Sequence, residues 1–461
     1  MNNKSKKVLL LSLEKVFANI EKQKEQAIQE LSDFVAIPSV SAKNQSLDEA
    51  AAYAAKLLEQ NGFVVKQFET GGGPVVTGFM DVGAPRTLMI YDHADVQPAE
   101  PFDLWESDPF KLDIREGRLW GRGVADNKGE FVGRVNAIKA YLAAGLQLPC
   151  NIKFVVETEE ESSSKNLTKY FDQDKNFFDD VDGCIWEFGG KNREGLQEFV
   201  LGVKGILYVQ LSVQTMTIDS HSASATHLPN AAERLINAYK LLKDSSGKIL
   251  IPHFYDDIEE ISNEELEVIK KYNFYPEKIK EHFGITTFRY GLTDEEAKIA
   301  YFTKPTCNIC GFTAGWQGEG GKTVIPKEAT MKIDFRLVKN QHPTTIQKNL
   351  RAYLNEHGFK DVQIDWSNGY PPSKTAINSP FVQLCREANL QVYGHEPAIQ
   401  PTSGGSGPMY LFGDHMPVVS LGSGHPDSNS HAPNENIYID DFLNGMKMIA
   451  TIIDQFKSWQ K

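Results

Sequence analysis

The residues whose types and spacing could do chemistry are two or three histidines, a run of glutamates and a few isolated carboxylates. His93 and Asp95 stand two apart in Asp92-His93-Ala94-Asp95, and Glu157 is followed closely by Glu160 and Glu161. Glu187 lies in Gly-Cys-Ile-Trp-Glu-Phe, Asp126 in the glycine-rich stretch 121–129, and His425 and His431 in the polar segment after Leu421. Imidazole nitrogens and carboxylate oxygens are the donors that hold zinc, manganese or cobalt, so this set could form a divalent-metal site. Residues i and i+2 of an extended segment face the same way. A ligating imidazole needs its second nitrogen held by a carboxylate or a carbonyl, and Asp95 is placed to hold His93. Taken singly, each residue has a plainer reading. Adjacent glutamates in a loop are ordinarily solvated charge, a histidine after a strand is ordinarily a hydrogen-bonded structural residue, and Glu187 beside Trp186 could be a paired, partly buried carboxylate.

The elements that must position these residues favour the joint reading. Segments 64–68, 75–80, 87–91, 151–156, 183–188 and 417–421 are short apolar runs, and 87–91 is continuously apolar, as expected of a strand buried in a parallel sheet. Between and around them, helical spacing appears over 8–35, 47–61 (closed by Gly62), 129–144, 167–171, 380–390 and 440–456. This alternation predicts an open α/β sheet with helices on both faces. In such sheets ligands bind beyond the carboxyl ends of the strands. His93, Glu160, Glu161, Glu187 and His431 all follow such ends, whereas bland surface charge would be placed at random.

Near residue 204 the pattern changes. Residues 208–215 and 331–337 alternate apolar and polar, as in a sheet solvated on one face. Helices are expected at 230–242 and 345–357, a further strand at 361–366, and highly charged helices over 256–282 and 293–301. This block reads as a separate α+β sandwich of β-α-β-β-α-β type inserted into the first domain. The expected boundaries are 1–204 and 375–461 for the α/β domain and 205–374 for the insert, which itself carries a helical insertion at about 250–302.

Composition bounds the partners. With 461 residues, 41% of them hydrophobic and 24% charged, the chain is long enough for two to three domains and unlike a disordered or disulfide-dense chain. Its 48 basic and 61 acidic residues give a net charge of −13, which argues against nucleic acid and anionic membrane surfaces as partners. Five scattered cysteines fit a reducing compartment. Lys4, Lys6 and Lys7 before Val8 imitate a signal peptide, but the apolar run is short and continues as a charged amphipathic helix. No stretch reaches the ~18–20 apolar residues of a membrane span, and the chain reads as cytoplasmic. Trp316-Gln-Gly-Glu-Gly-Gly-Lys-Thr323 imitates a phosphate-binding loop but lacks its first glycine, and neither a dinucleotide fingerprint after the first strand nor a GxSxG elbow is present.

Longer strings carry a resemblance. Tyr91-Asp-His93-Ala-Asp95-Val-Gln97-Pro98, Leu104-Trp105-Glu-Ser-Asp108-Pro109-Phe110, Gly117-Arg-Leu-Trp-Gly-Arg-Gly123 and Asp126-Asn-Lys-Gly129 resemble the di-metal exopeptidases of carnosinase and Cys-Gly dipeptidase type. Aminoacylase, acetylornithine deacetylase, succinyl-diaminopimelate desuccinylase and glutamate carboxypeptidase belong to the same superfamily. The likeness continues through Glu160-Glu161-Ser162, Asn230, Gly321 to Pro326, Arg336-Leu-Val, Gly404-Gly405-Ser406 and His431 to Asn436, and so spans nearly the whole chain. It implies a phosphorylase/hydrolase-like catalytic sheet with an inserted ferredoxin-like lid and dimerisation domain. It further implies two divalent ions, zinc first and manganese or cobalt as alternatives, bridged by Asp126. His93 and Glu187 would complete one site, and Glu161 and His431 the other. Glu160 is then the general base for a hydroxide held between the metals, and Asp95 the partner of His93. His221 matches a lid histidine that reaches the active site of a second subunit in a homodimer and polarises the scissile carbonyl. Arg336 and Asn308 match positions associated with a substrate's carboxylate, and Gly405 and Ser406 stand in a substrate-contacting motif.

Two departures qualify the substrate. Glu187 stands where Asp is common, which leaves metal binding intact. Thr402 stands where dipeptidases often carry Arg, two positions before Gly-Gly-Ser. The expected substrate is therefore a small peptide, with an N-acyl amino acid as the alternative. A non-catalytic metal- or peptide-binding relative is the third reading, against which the retained Glu160 argues.

Overall fold

The structure is a computed structural model that describes residues 3–459, with residues 3–12 and Asn368 described by backbone alone. The basic and apolar run 4–11 therefore falls, as side chains, outside the described residues. The chain divides into two compact units. One comprises Met1–Leu201, Thr375–Gln400 and Leu411–Lys461; the other comprises Gly202–Lys374 and Pro401–Tyr410.

In chain order the principal strands are β1 (Val64–Phe68), β2 (Val75–Met80), β3 (Thr87–His93), β4 (Asn151–Glu157), β5 (Gly183–Trp186), β6 (Gln197–Val200), β7 (Gly205–Gln214), β8 (Thr306–Ala314), β9 (Glu328–Leu337), β10 (Gln363–Tyr370), β11 (Ala398–Gln400) and β12 (Val418–Ser420). The first unit is built on a sheet of order β1-β2-β4-β3-β5-β12-β6-β11. Its centre, β4-β3-β5-β12, is parallel, while β1, β2 and the β12–β6 pair are antiparallel. Every residue of β3, β4 and β5 is buried, which is why these strands are runs of apolar residues without alternation. Helix Leu47–Gln60 packs on β1 and β2, and helix Lys128–Ala143 packs on β3 and against the terminal helix Ile439–Gln455. Thirteen of the sixteen residues of Lys128–Ala143 are buried, so its sequence carries no clear apolar stripe.

The second unit holds a four-stranded antiparallel sheet of order β8-β9-β7-β10. Alternate residues Leu207, Val209, Leu211 and Val213 of β7 and Met331, Ile333, Phe335 and Leu337 of β9 form its core with helices Ala231–Leu242 and Pro343–Glu356. Asn230 caps the first helix, its side chain accepting from the Ala232 and Glu233 amides.

Several elements differ from expectation. The single helix expected over 8–35 is two, Asn3–Lys22 and Lys24–Val35, parted at Gln23. The strand expected at 87–91 runs on to His93, and the one expected at 183–188 stops at Trp186. Strand β8 was not expected, because its outer positions are solvated and a bulge between Ile309 and Gly311 breaks the alternation. The helix expected over 256–282 is two shorter ones, Asn263–Lys271 starting at its Ser262 cap and Pro276–Phe283 starting at Pro276, whereas the one expected over 293–301 is present as Asp294–Thr303 behind its Thr293 cap. Residues 401–410 group with the second unit, whereas 375–461 had been expected to belong wholly to the first.

Candidate functional site

The carboxyl ends of the parallel strands β3, β4, β5 and β12 assemble seven of the expected site residues in the first unit. His93 is the last residue of β3, and Glu187 follows β5 directly. Glu160 and Glu161 lie in the short 3-10 turn Glu160–Ser162 beyond β4. Asp126 precedes helix Lys128–Ala143, and His431 sits in the loop after β12.

Asp126 divides its two oxygens between two groups. Its Oδ1 lies 3.0 Å from His93 Nε2, which is also 3.3 Å from Glu187 Oε2. Its Oδ2 lies 3.0 Å from His431 Nε2, which is also 3.1 Å from Glu161 Oε2. Ligand atoms of His93, Glu160 and Glu187 approach within 4.8 Å of one another, and so do those of Asp126, Glu161 and His431. Glu187 Oε2 is buried and accepts no hydrogen bond. A buried carboxylate oxygen that accepts no hydrogen bond beside an imidazole nitrogen, and two such histidine–carboxylate groups sharing one aspartate, form a donor set that suits two cations with nitrogen and oxygen ligands.

The surrounding bonds fix these side chains. His93 Nδ1 lies 3.0 Å from the Asp95 carbonyl and 3.4 Å from Asp95 Oδ1, which leaves Nε2 for a ligand. Asp95 is thus where the sequence places the partner of His93. Its two oxygens also accept the Glu160 and Glu161 amides at 3.1 and 3.0 Å, so it sets the glutamate turn. Gln97 Nε2 donates to Glu161 Oε2 at 2.9 Å. Asn127 accepts the His93 amide and donates to the Glu187 carbonyl.

Electrostatics follow from crowding carboxylates in a buried place. Burial pushes the Glu160 carboxyl up to about 8, with His93 opposing and Glu161 and Asp126 adding. Burial and then Glu160 drive Glu187 well above the carboxylate range. Hydrogen bonds to Asp126 and Glu161 raise His431 to about 10. Burial works against charge on Asp126, yet bonds to His431 and His93 outweigh it and hold the group below its ordinary value.

Two residues without an expected role build this site. Glu435 is fully buried and accepts from Arg122 Nη1 at 2.7 Å and from the amides of Gly123, Ala125 and Asp126 at 3.0, 2.9 and 3.0 Å. It ties the loop of His431, a residue in the left-handed region at φ 64°, to the loop that presents Asp126. Arg134, 1% exposed, donates to Asp92 and to the carbonyls of Tyr91, Trp186, Glu187 and Leu421, and so clamps the ends of β3, β5 and β12. The available signals were an arginine inside the apolar stretch 131–138 for Arg134, and for Glu435 its place in the string His431 to Asn436 that carries the resemblance.

The remaining expected residues belong to the second unit. Asn308 Nδ2 donates to Asp334 Oδ1 at 3.0 Å, Arg336 Nε lies 3.6 Å from Asp334 Oδ2, and Arg336 Nη1 donates to Ser406 Oγ at 2.9 Å. The Gly405 amide donates to Ser403 Oγ. His221 stands apart from that chain of contacts: it is exposed, its Nδ1 accepts the Ala223 amide, and its Nε2 is 3.3 Å from Thr323 Oγ1.

Comparison with known proteins bears on this arrangement. The signature of Peptidase family M20/M25/M40 matches residues 89–455. The human Beta-Ala-His dipeptidase is 28% identical over 466 residues, covering 95% of this chain and 91% of that protein. The Cys-Gly metallodipeptidase of Schizosaccharomyces pombe is 28% identical, covering 97% and 99%. The crystal structure of an M20 family metallo-carboxypeptidase from Sulfolobus solfataricus superposes with a TM-score of 0.84 at 38% identity, over 94% of this chain and 99% of that one.

Proposed function

This chain belongs to peptidase family M20/M25/M40, and on that premise we propose that it is an exopeptidase hydrolysing dipeptides and similarly small peptides, with Glu160 as its general base. The observation that carries the proposal is the division of the Asp126 oxygens between two histidine–carboxylate groups, with Glu160 beside the first. His93, Glu187 and Asp126 Oδ1 would hold one divalent ion, and His431, Glu161 and Asp126 Oδ2 the other. When bound, such a pair polarises the scissile carbonyl and lowers the pKa of water toward ~7. Glu160, whose carboxylate lies beside His93 and Glu187, is placed to accept a proton from the attacking water and return it to the leaving amine. Asp95 keeps that carboxylate in place through the Glu160 amide. The mixed imidazole and carboxylate set suits zinc, with manganese or cobalt as alternatives.

The finer parts of the proposal rest on the resemblance. The second unit serves as a ferredoxin-like lid and dimerisation domain, the insert at 205–374 falling in sequence between catalytic segments 1–204 and 375–461, of which 401–410 group with the insert. His221 acts in a homodimer on the partner's substrate carbonyl, and Arg336, Asn308, Gly405 and Ser406 receive the substrate's carboxylate end. All five cysteines are free thiols and four are buried, which supports a cytoplasmic setting. Among the described residues no helix is long and apolar enough to cross a membrane.

The deciding experiment is Glu160→Gln. It is expected to lower kcat by about 10²–10⁴-fold while metal analysis still finds both ions; full activity would overturn the assignment. One observation favours a second reading, N-acyl-amino-acid deacylation: Thr402 is buried and uncharged where dipeptidases of this type often carry a cation. Parallel assays of dipeptides and acetyl-amino acids separate the two.

A further inference from the structure

The second unit contains a cleft of about 1040 Å³, at the upper end of the ~300–1,000 Å³ usual for ligand sites. In a chain of net charge −13 its lining is basic: Lys204, Lys243, Lys248, Arg289, Lys304 and Arg336 against Glu296 and Asp334. Both carboxylates are already engaged. Glu296 accepts from the Thr293 amide and hydroxyl, each at 2.8 Å, and Asp334 accepts from Asn308 beside Arg336. Among the described residues, none of the five lysines and arginines other than Arg336 has a carboxylate within ion-pair distance.

Five of these six cations fall into two groups. Arg336 and the buried Lys204 form one: burial, then the Arg336 charge, lowers the Lys204 amine to about 8, and its Nζ donates to the Lys304 carbonyl at 2.8 Å. Lys243, whose Nζ donates to the Cys307 carbonyl at 2.6 Å, Lys248 in the turn after it and Arg289 in the same lining form the other. The aromatic part of the lining, Tyr290 and Tyr301, is fitted closely. A Cβ on Gly247, at φ +91°, would meet the Tyr290 ring at 2.4 Å, and one on Gly404 would meet Tyr301 Oη at 2.8 Å. A single α-carboxylate satisfies one cationic group and leaves the other without an anion.

We propose that this cleft selects substrates whose carboxyl-terminal residue has an acidic side chain, the α-carboxylate at Arg336 and the side-chain carboxylate at Lys243, Lys248 and Arg289. The inference rests on the peptide-hydrolase reading and on Arg336 as the holder of the α-carboxylate. The test compares kcat/KM for the near-isosteric substrates Ala-Glu and Ala-Gln with manganese-loaded, full-length protein. Ala-Glu is expected to be preferred by about tenfold, the worth of roughly one charge-assisted contact, and less so in high salt. Arg289→Gln and Lys248→Gln should each reduce that preference, and Arg289→Lys should retain most of it. Equal kcat/KM for the two dipeptides, or a preference untouched by both glutamine variants, would overturn the proposal with peptide hydrolysis still intact. Hydrolysis of neither dipeptide would instead remove the reading beneath it, and the proposal with it.

Discussion

Replacing Glu435 with Gln tests whether the site is assembled by a buried carboxylate that contacts no metal ligand through its side chain except the Asp126 amide. Oε2 accepts from Arg122 and Gly123, and Oε1 from Ala125 and Asp126. Glutamine keeps one such oxygen and presents an amide group to the other pair of donors. The substitution also removes the counter-charge of Arg122, itself only 2% exposed. Breaking one side of a buried ion pair costs about 3–5 kcal/mol, and each donor left facing another donor adds roughly 1–3 kcal/mol before relaxation. Taking the low end, about 5 kcal/mol, and roughly 2 °C per kcal/mol for a folding unit of this size, Tm should fall by about 10 °C. Because the same bonds hold the Asp126 loop to the His431 loop, metal affinity should weaken by about 10–100-fold. Thermal melting in chelator reads the first effect, and calorimetric titration of manganese into chelator-treated protein reads the second. Melting within about 1 °C of the parent, together with unchanged affinity, would refute the reasoning.

Other consequences are equally direct. Removing metal should destabilise the first unit, because Glu160 and Glu187 are then left crowded and buried; restoring manganese or zinc at ~100 times its Kd should return about 2.7 kcal/mol, seen as a rise in Tm, and no rise would contradict a resident metal site. In the second unit, Arg234 grips Asp361 with two bonds, Nε to Oδ2 at 2.9 Å and Nη2 to Oδ1 at 2.5 Å, and holds that carboxyl below its ordinary value. A depressed folded pKa gives stability that is present above the unfolded value of ~3.9 and lost as pH falls through the folded one. Asp361→Asn should therefore lower stability at neutral pH, with the gap to the parent closing as denaturant midpoints are measured below about pH 4.

Much of the site could be read along the chain because its donors follow strands that are themselves legible. β3, β4 and β5 are short, wholly buried apolar runs, and His93, Glu160 and Glu187 come at or just beyond their ends. β7 and β9 declare themselves by alternation, since each has one buried and one solvated face. β8 does not, because its bulge and exposed outer face erase that signal. β6 and β11, of four and three residues, are too short to show a period. The positions of the two helices before Ile37 were legible, but their break at Gln23 was not, since no proline or glycine marks it.

The sequence by itself determined the donor types, their order, their place at strand ends and the family whose strings they match. These are local properties, written in residue identity and in periods of two and 3.6. Only the tertiary structure decided which oxygen of Asp126 faces which histidine, that Asp95 carries the glutamate turn as well as His93, and that Glu435 and Arg134 hold the loops and strand ends. Glu435 and Arg122 are 313 residues apart, and Arg134 reaches the Leu421 carbonyl across 287. Contacts between buried polar groups at such separations follow no period. They are set by the burial that leaves each charge no partner but the one the fold brings to it.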